Sequence, residues 1–257
     1  MDLPAEVARH LDRLRDGLLE AIDLQGLYLY GSLTTGDFSP ARSDIDLIAV
    51  PQRPPGKDAL ARLQRLHLDL ASAGGAFGRL NCLYIPAGRL ADPGQLHPYW
   101  FGDQFTEWQL KLMTMAELAR AGGALHGPWP PPGLGEVSLA RLQGAVRDEL
   151  NGYWREAVVG HPDIWLQDLW VDFGLITLAR SAAVLRHGEL ITKSEAIGRL
   201  SDFGVPAWLS DQIRRRRDGA EVADPEQERH DRAALTRRIM TDGIARLTRP
   251  QLREDPR

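Results

Sequence analysis

The chain has 257 residues, 43% hydrophobic and 26% charged, with a formal net charge of −4. This balance describes a globular protein with one large core or two smaller ones, and it excludes a fibrous or disordered polymer. The weak negative charge offers no global field for a nucleic-acid backbone, and no run approaches the roughly 18 apolar residues of a membrane span, so neither nucleic acid nor membrane is an expected partner.

The N-terminal stretch MDLPAEVARHLDRLRDGLLEAI lacks an apolar signal core, which predicts a cytoplasmic protein. Within it Val7, Leu11, Leu14, Leu18 and Ile22 recur at spacings of three and four, the stripe of an amphipathic helix over residues 4–24. GLYLYGS and SDIDLIAV then read as two short strands, separated by the turn-rich loop LTTGDFSPAR and closed by the Pro-rich PQRPPG. DALARLQRLHLDLASA returns to helical periodicity and RLNCLYIPAG follows as a third strand, the alternation of an α/β domain. WFGDQFTEWQLKLMTMAELARAG has apolar residues on all sides and is read as a further strand followed by a helix. The Pro- and Gly-rich residues 127–135 then form a natural boundary. Beyond them the pattern is helical almost throughout, which predicts an α/β domain over residues 1–126 followed by an all-α helical bundle over 136–257.

Two features concentrate the chemistry. In LYGSLTTGDFSPARSDIDLIAV, Asp44 and Asp46 are two apart on a predicted strand and so share a face, although the neighbouring Ile45, Leu47, Ile48 and Val50 make the segment apolar on both sides. Two adjacent carboxylates there repel each other unless a cation lies between them, and Mg²⁺, which takes oxygen ligands and bridges to substrate phosphates, is the simplest occupant. Gly31-Ser32, at the end of the preceding strand, supplies the other half: glycine permits close backbone approach to a phosphate, and nearby amides and the serine hydroxyl can donate to its oxygens. Cys82, the single cysteine, sits between apolar neighbours and is read as a buried small hydrophobe; the seven histidines have no partners at zinc-ligand spacing.

The stretch from Leu29 to Val50 resembles the signature of the nucleotidyltransferase superfamily: glycine-serine, a loop, then an aspartate pair on the next strand. FTEWQ at 105, ALHGPWP at 124 and LARSAAVLRHGELITKSEA at 178 extend the resemblance to aminoglycoside adenylyltransferases of the streptomycin/spectinomycin type. Such a resemblance implies a mixed-sheet nucleotidyltransferase domain followed by a helical domain, and transfer of AMP from ATP to a hydroxyl of a small, cationic, aminoglycoside-like substrate, with antibiotic resistance as the associated role and a monomer as the expected state. Carried over by position, it implies that Ser32 and Ser43 contact the ATP phosphates, with Ser43 equally readable as a turn residue, and that Asp44 and Asp46 bind Mg²⁺. It further implies that Lys193 reaches the triphosphate and that Trp108 lines the substrate pocket. Lys193 also lies in TKSE, where Thr192 and Glu195 can form a capping box. Asp168 and Asp172, in HPDIWLQDLWVDFG, are carboxylates that would suit a cationic substrate.

One position departs from the family pattern. Where the family has a glutamate proposed as the base for the acceptor hydroxyl, this chain has Asn81, and an amide accepts no proton near neutral pH. A proton-transfer catalyst contributes typically 10²- to 10⁴-fold. The alternatives are therefore an enzyme in which Glu107 or Asp103 substitutes, a nucleotide-binding regulator with weakened catalysis, or a nucleotidyltransferase acting on a protein or RNA. Asn81 facing the aspartates, with no further carboxylate beside it, is the feature that favours the regulator.

Overall fold

The computed structural model describes residues 3–222 and 225–249. The chain divides into two compact units, Met1–Ser138 and Leu139–Arg257.

In the first unit the elements run α1 (Ala5–Ala21), β1 (Leu24–Tyr30), α2 (Ser32–Thr35), β2 (Ile45–Pro51), α3 (Lys57–Ala71), β3 (Leu80–Tyr84), β4 (Leu96–Phe101), β5 (Gln104–Gln109), α4 (Leu112–Ala121) and β6 (Gly123–His126). The strands form one mixed sheet in the order β5-β4-β3-β2-β1-β6. β2 and β3 are parallel, joined by the crossover through α3, and the other neighbouring pairs are antiparallel.

Period-two alternation sorts the strand residues onto two cores. Leu27, Leu29, Leu47 and Cys82 face one side, where Leu11, Leu14 and Leu18 of α1 and Leu63 and Leu70 of α3 cover them. Tyr28, Ile48, Val50 and Leu83 face the other, beneath Met115 and Leu118 of α4, with Leu134 and Val137 packed alongside. Each fully buried Leu or Ile contributes on the order of 1.5–3 kcal/mol of burial free energy. This explains why β2 is apolar on both faces everywhere except at Asp46.

Three local expectations change. The loop after β1 opens with the short helix α2. The segment expected to hold one strand holds the hairpin β4–β5, which turns at Gly102, where φ is +66°. A further short strand, β6, precedes the Pro-rich tract and pairs with β1.

The second unit is helical: α5 (Leu139–Glu149) continues through a π-helical turn (Leu150–Trp154) into α6 (Arg155–Gly160), followed by a 3-10 turn (Pro162–Leu166), α7 (Asp168–His187), α8 (Lys193–Gly198), a second 3-10 turn (Leu200–Phe203), α9 (Ala207–Arg217) and α10 (Glu226–Thr248). Trp154 and Trp165 are buried at its centre, and Trp165 Nε1 donates to the Ala157 carbonyl at 2.9 Å. A Cβ on Gly174 of α7 would lie 2.7 Å from the Trp165 ring, so the indole occupies space that only glycine leaves.

Candidate active site

β1 and β2 are antiparallel neighbours, and their register sets Tyr30 opposite Asp46. The chain leaves β1 at Gly31, whose φ of +77° and ψ of −145° lie in a region essentially restricted to glycine. A Cβ there would also stand 2.8 Å from Asp46 Oδ2, so the carboxylate rests in a cradle that a side chain would fill. The turn is held by its own polar groups: the Thr34 amide and hydroxyl donate to the Gly31 carbonyl at 3.2 and 2.9 Å, and the Asp37 amide donates to the Ser32 carbonyl at 3.1 Å. Ser32 is half-buried at the first position of α2.

Asp46 lies on the sheet face of Ile48 and Val50. Asp44 falls one residue before β2, so the expectation that both aspartates occupy the strand is corrected: the strand begins at Ile45, after the loop has closed. Parallel pairing of β2 with β3 places Asn81 beside Asp46, and Asn81 Nδ2 donates to Asp46 Oδ1 at 3.2 Å. The amide thus occupies the position next to the aspartate at which the family resemblance leads one to expect a glutamate.

Ser43 is a residue of the loop before β2. Its side chain is buried, its Oγ accepts from the Ser39 amide at 2.9 Å, and its own amide donates to the Ser39 carbonyl at 2.7 Å. Arg79 braces the same loop by donating to the carbonyls of Pro40 at 2.7 Å and Ser43 at 3.3 Å. Ser43 therefore closes the loop that delivers Asp44.

Of the aromatic surroundings the sequence pointed to Trp108 alone, and Tyr99 and Phe101 were missed. Tyr99 and Phe101 of β4 are stacked with centroids 5.9 Å apart, and Tyr99 is stacked with the half-exposed Trp108 of β5 at 6.1 Å. Lys111 Nζ stands 5.5 Å from the Trp108 ring centre. Burial raises the Tyr99 phenol pKa, and the negative charges of Asp46 and Asp44 add to the rise; for Tyr30 burial again leads, followed by Asp46. Both phenols thus stay protonated and available as donors beside the aspartates. Strict alternation in LHPYWF was the signal that could have placed Tyr99 and Phe101 on one face.

The same alternation disposes of one candidate base. Phe105 packs on the α1/α3 side against Trp100 and Tyr84, so Glu107, two residues on, shares that face, whereas Asp46, Asn81 and Tyr99 lie on the other. Cys82 is buried, with its thiol pKa pushed up to about 12 by burial, which leaves it inert as a nucleophile. Among the described residues no cluster of three or more His, Cys, Asp or Glu could hold a metal by itself. That donor set still suits Mg²⁺, which takes one or two carboxylates and completes its shell with water and substrate phosphates.

In the second unit, Lys193 is exposed at the first position of α8. Thr192 Oγ1 accepts from the Glu195 amide at 3.1 Å while Glu195 Oε2 accepts from the Thr192 amide at 2.7 Å, so the capping box is present and orders the turn that presents the lysine. Asp172 is held by Arg216 of α9, whose Nη2 and Nε donate to its two oxygens at 2.6 and 2.9 Å. Asp168 lies 2.6 Å from Nη1 of the buried Arg232 of α10. The two carboxylates read from the sequence as contacts for a cationic substrate are thus engaged by cations of their own unit.

This architecture, a six-stranded mixed-sheet unit followed by a helical unit, is an aminoglycoside nucleotidyltransferase-like fold. It is shared with the solved structure of spectinomycin adenyltransferase AAD(9) from Enterococcus faecialis with ATP and spectinomycin, at a TM-score of 0.70 over 91% of this chain and 99% of that one. Sequence identity is 13%, so the likeness shows the fold alone. No family model matches the sequence, and no curated protein is significantly similar to it.

Proposed function

We propose that the protein is a Mg²⁺-dependent nucleotidyltransferase that transfers AMP from ATP to a hydroxyl of a small, cationic, aminoglycoside-like molecule. The observation that carries the reading is the seating of Asp46 against Gly31: a carboxylate held at a glycine-only turn, with Asp44 two residues before it, on a nucleotidyltransferase-like fold.

Asp44 and Asp46 are the residues to hold Mg²⁺, which when bound neutralises phosphate charge and favours in-line displacement at the α-phosphorus. Gly31 and Ser32 bind the phosphate oxygens through backbone N–H groups and the serine hydroxyl. Lys193 supplies a compact positive charge for the triphosphate. Trp108, extended by Tyr99 and Phe101, offers a stacking surface to the acceptor, and the protonated Tyr99 phenol is a donor at its edge. The acceptor hydroxyl attacks as pyrophosphate leaves, and its proton passes to solvent because Asn81 cannot take it. AAD(9), solved with ATP and spectinomycin, supports ATP as donor and an aminoglycoside-type acceptor.

A second reading draws on Asn81. With an amide bonded to Asp46 and Glu107 on the opposite face, the chain can bind Mg²⁺-ATP as a regulator that transfers weakly. One pair of measurements separates the two. Incubation with Mg²⁺, labelled ATP and a panel including spectinomycin and streptomycin is expected to release pyrophosphate and adenylylate a drug. Failure across the panel rejects the drug-modifying reading, and calorimetric Mg²⁺-ATP binding that is lost in Asp46→Asn then leaves the regulator standing.

A further inference from the structure

Far along the helical unit from the Asp168 and Asp172 network is a cavity of about 340 Å³ lined by Arg147, Arg186, Arg246 and Arg249 together with Thr248 and the buried Leu185 and Leu247. Arg186 lies fourteen residues beyond Asp172 on α7, about 21 Å along the helix at 1.5 Å per residue. The sequence reading attached no role to any of these arginines.

Like charges gathered around one small volume repel, and proteins ordinarily relieve this by interleaving carboxylates. Among the described residues none of the four guanidinium groups forms an ion pair. Two of them are instead fixed in place: Arg246 and Arg186 both stand over the ring of Phe203, 4.8 and 5.8 Å from its centre, and Arg246 Nη2 donates to the Asp202 carbonyl at 3.1 Å. Arg186 and Arg246 are therefore preorganised, and among the described residues no carboxylate pairs with any of the four.

A simpler account is that arginines favour helix C-termini, where the backbone dipole is negative. It covers Arg186 and Arg246, in the last turns of α7 and α10, and Arg249, the C-cap of α10. Arg147 it does not cover, because α5 runs on helically through Leu150–Trp154 into α6 and has no free C-terminus there. The convergence of arginines from three separate helices on one cavity is what the dipole leaves unexplained.

We propose that this cavity binds a small multivalent phosphate of pyrophosphate to triphosphate size. Guanidinium groups match phosphate oxygens bidentately, and several of them around a pocket near the lower end of ligand-site volumes suit two or three linked phosphates better than a long polymer. The residues involved all belong to the second unit, so the proposal stands independently of the transfer reading.

The test is titration calorimetry of the full-length protein with tripolyphosphate, pyrophosphate and orthophosphate, at low salt and without Mg²⁺. Tripolyphosphate is expected to bind in the micromolar range and more tightly than orthophosphate. Its affinity should be retained in Asp44→Asn/Asp46→Asn and should fall at least tenfold in Arg186→Gln/Arg249→Gln, whose substituted positions are exposed and whose fold is checked by circular dichroism. Arg249→Gln alone, at the end of α10, should give a smaller loss in the same direction. Equal affinity in the arginine variants, loss in the aspartate variant, or binding of an RNA oligomer without binding of tripolyphosphate would each overturn the assignment.

Discussion

Asn81 and Asp46 occupy paired positions on the parallel strands β3 and β2, and the amide of the first donates to the carboxylate of the second at 3.2 Å. The contact satisfies a half-buried carboxylate with a neutral donor, so the aspartate is held in place without any gain of charge beside it.

Asn81→Glu tests what that neutrality costs in chemistry. Asn81 is 6% exposed, so a glutamate there adds a poorly solvated like charge next to Asp46 and should destabilise the metal-free protein by about 1–3 kcal/mol. Added Mg²⁺ should recover much of that loss in a thermal melt. If a base is all that the site lacks, transfer from ATP should rise by about 10²- to 10⁴-fold in a pyrophosphate-release assay.

Gly31→Ala attacks the same carboxylate from the other side. The backbone at Gly31 lies where alanine is strained, and the new methyl would press on Asp46 Oδ2 from 2.8 Å. We expect a loss of about 1–3 kcal/mol in urea unfolding and, by calorimetry, at least tenfold weaker Mg²⁺-ATP binding than in the parent. Gly36→Ala, also at positive φ but with open space around its Cβ, should show the strain without the binding defect.

These residues were legible because short-range rules govern them: alternation gives Asp46 its face, and a glycine-serine pair after an apolar strand marks a turn. α1, α3 and the helical second unit were legible for the same reason, since their apolar stripes repeat every three to four residues. β4 and β5 were not resolved as a hairpin because β5 is a sheet edge, exposed at five of its six positions, which erases the polar–apolar contrast on which strand reading depends. The bracing around Ser43 was illegible for a different reason. The Ser43 loop is closed by Arg79, 36 residues away, and no local pattern announces such a brace.

Asp172 and Arg216 should behave as a buried pair. Arg216 is 6% exposed, and Asp172→Ala would leave its guanidinium with the looser contact to Asp168 at 3.7 Å in place of two charged hydrogen bonds, so a loss of about 1.5–3 kcal/mol is expected. Replacing both partners, Asp172→Ala with Arg216→Met, removes the stranded charge and should return a large part of that loss. Denaturant unfolding of the two single variants and the double variant gives the coupling energy directly. Additive losses would show that the carboxylate and the guanidinium act independently.

Stability toward acid should depend on His67. Its ring stacks on Trp100 at 4.7 Å, and its Nε2 shares a hydrogen bond of 2.6 Å with the Tyr84 hydroxyl in the core beneath α3. Burial lowers its pKa from 6.5 to about 3. Between those values the unfolded chain binds a proton that the folded chain refuses, so stability falls as pH drops from about 6.5 toward 3 and the histidine adds no further loss below that. At pH 5 the cost is about 2 kcal/mol relative to pH 7.5. His67→Phe preserves the stack but cannot titrate. It should be less stable than the parent at pH 7.5 by about 1–3 kcal/mol, because the Tyr84 hydroxyl loses its partner, and it should show a drop between pH 7.5 and pH 5 smaller than the parent's by about 2 kcal/mol. Urea midpoints at the two pH values measure both effects, and an equal drop in parent and variant would assign the acid sensitivity to carboxylates elsewhere.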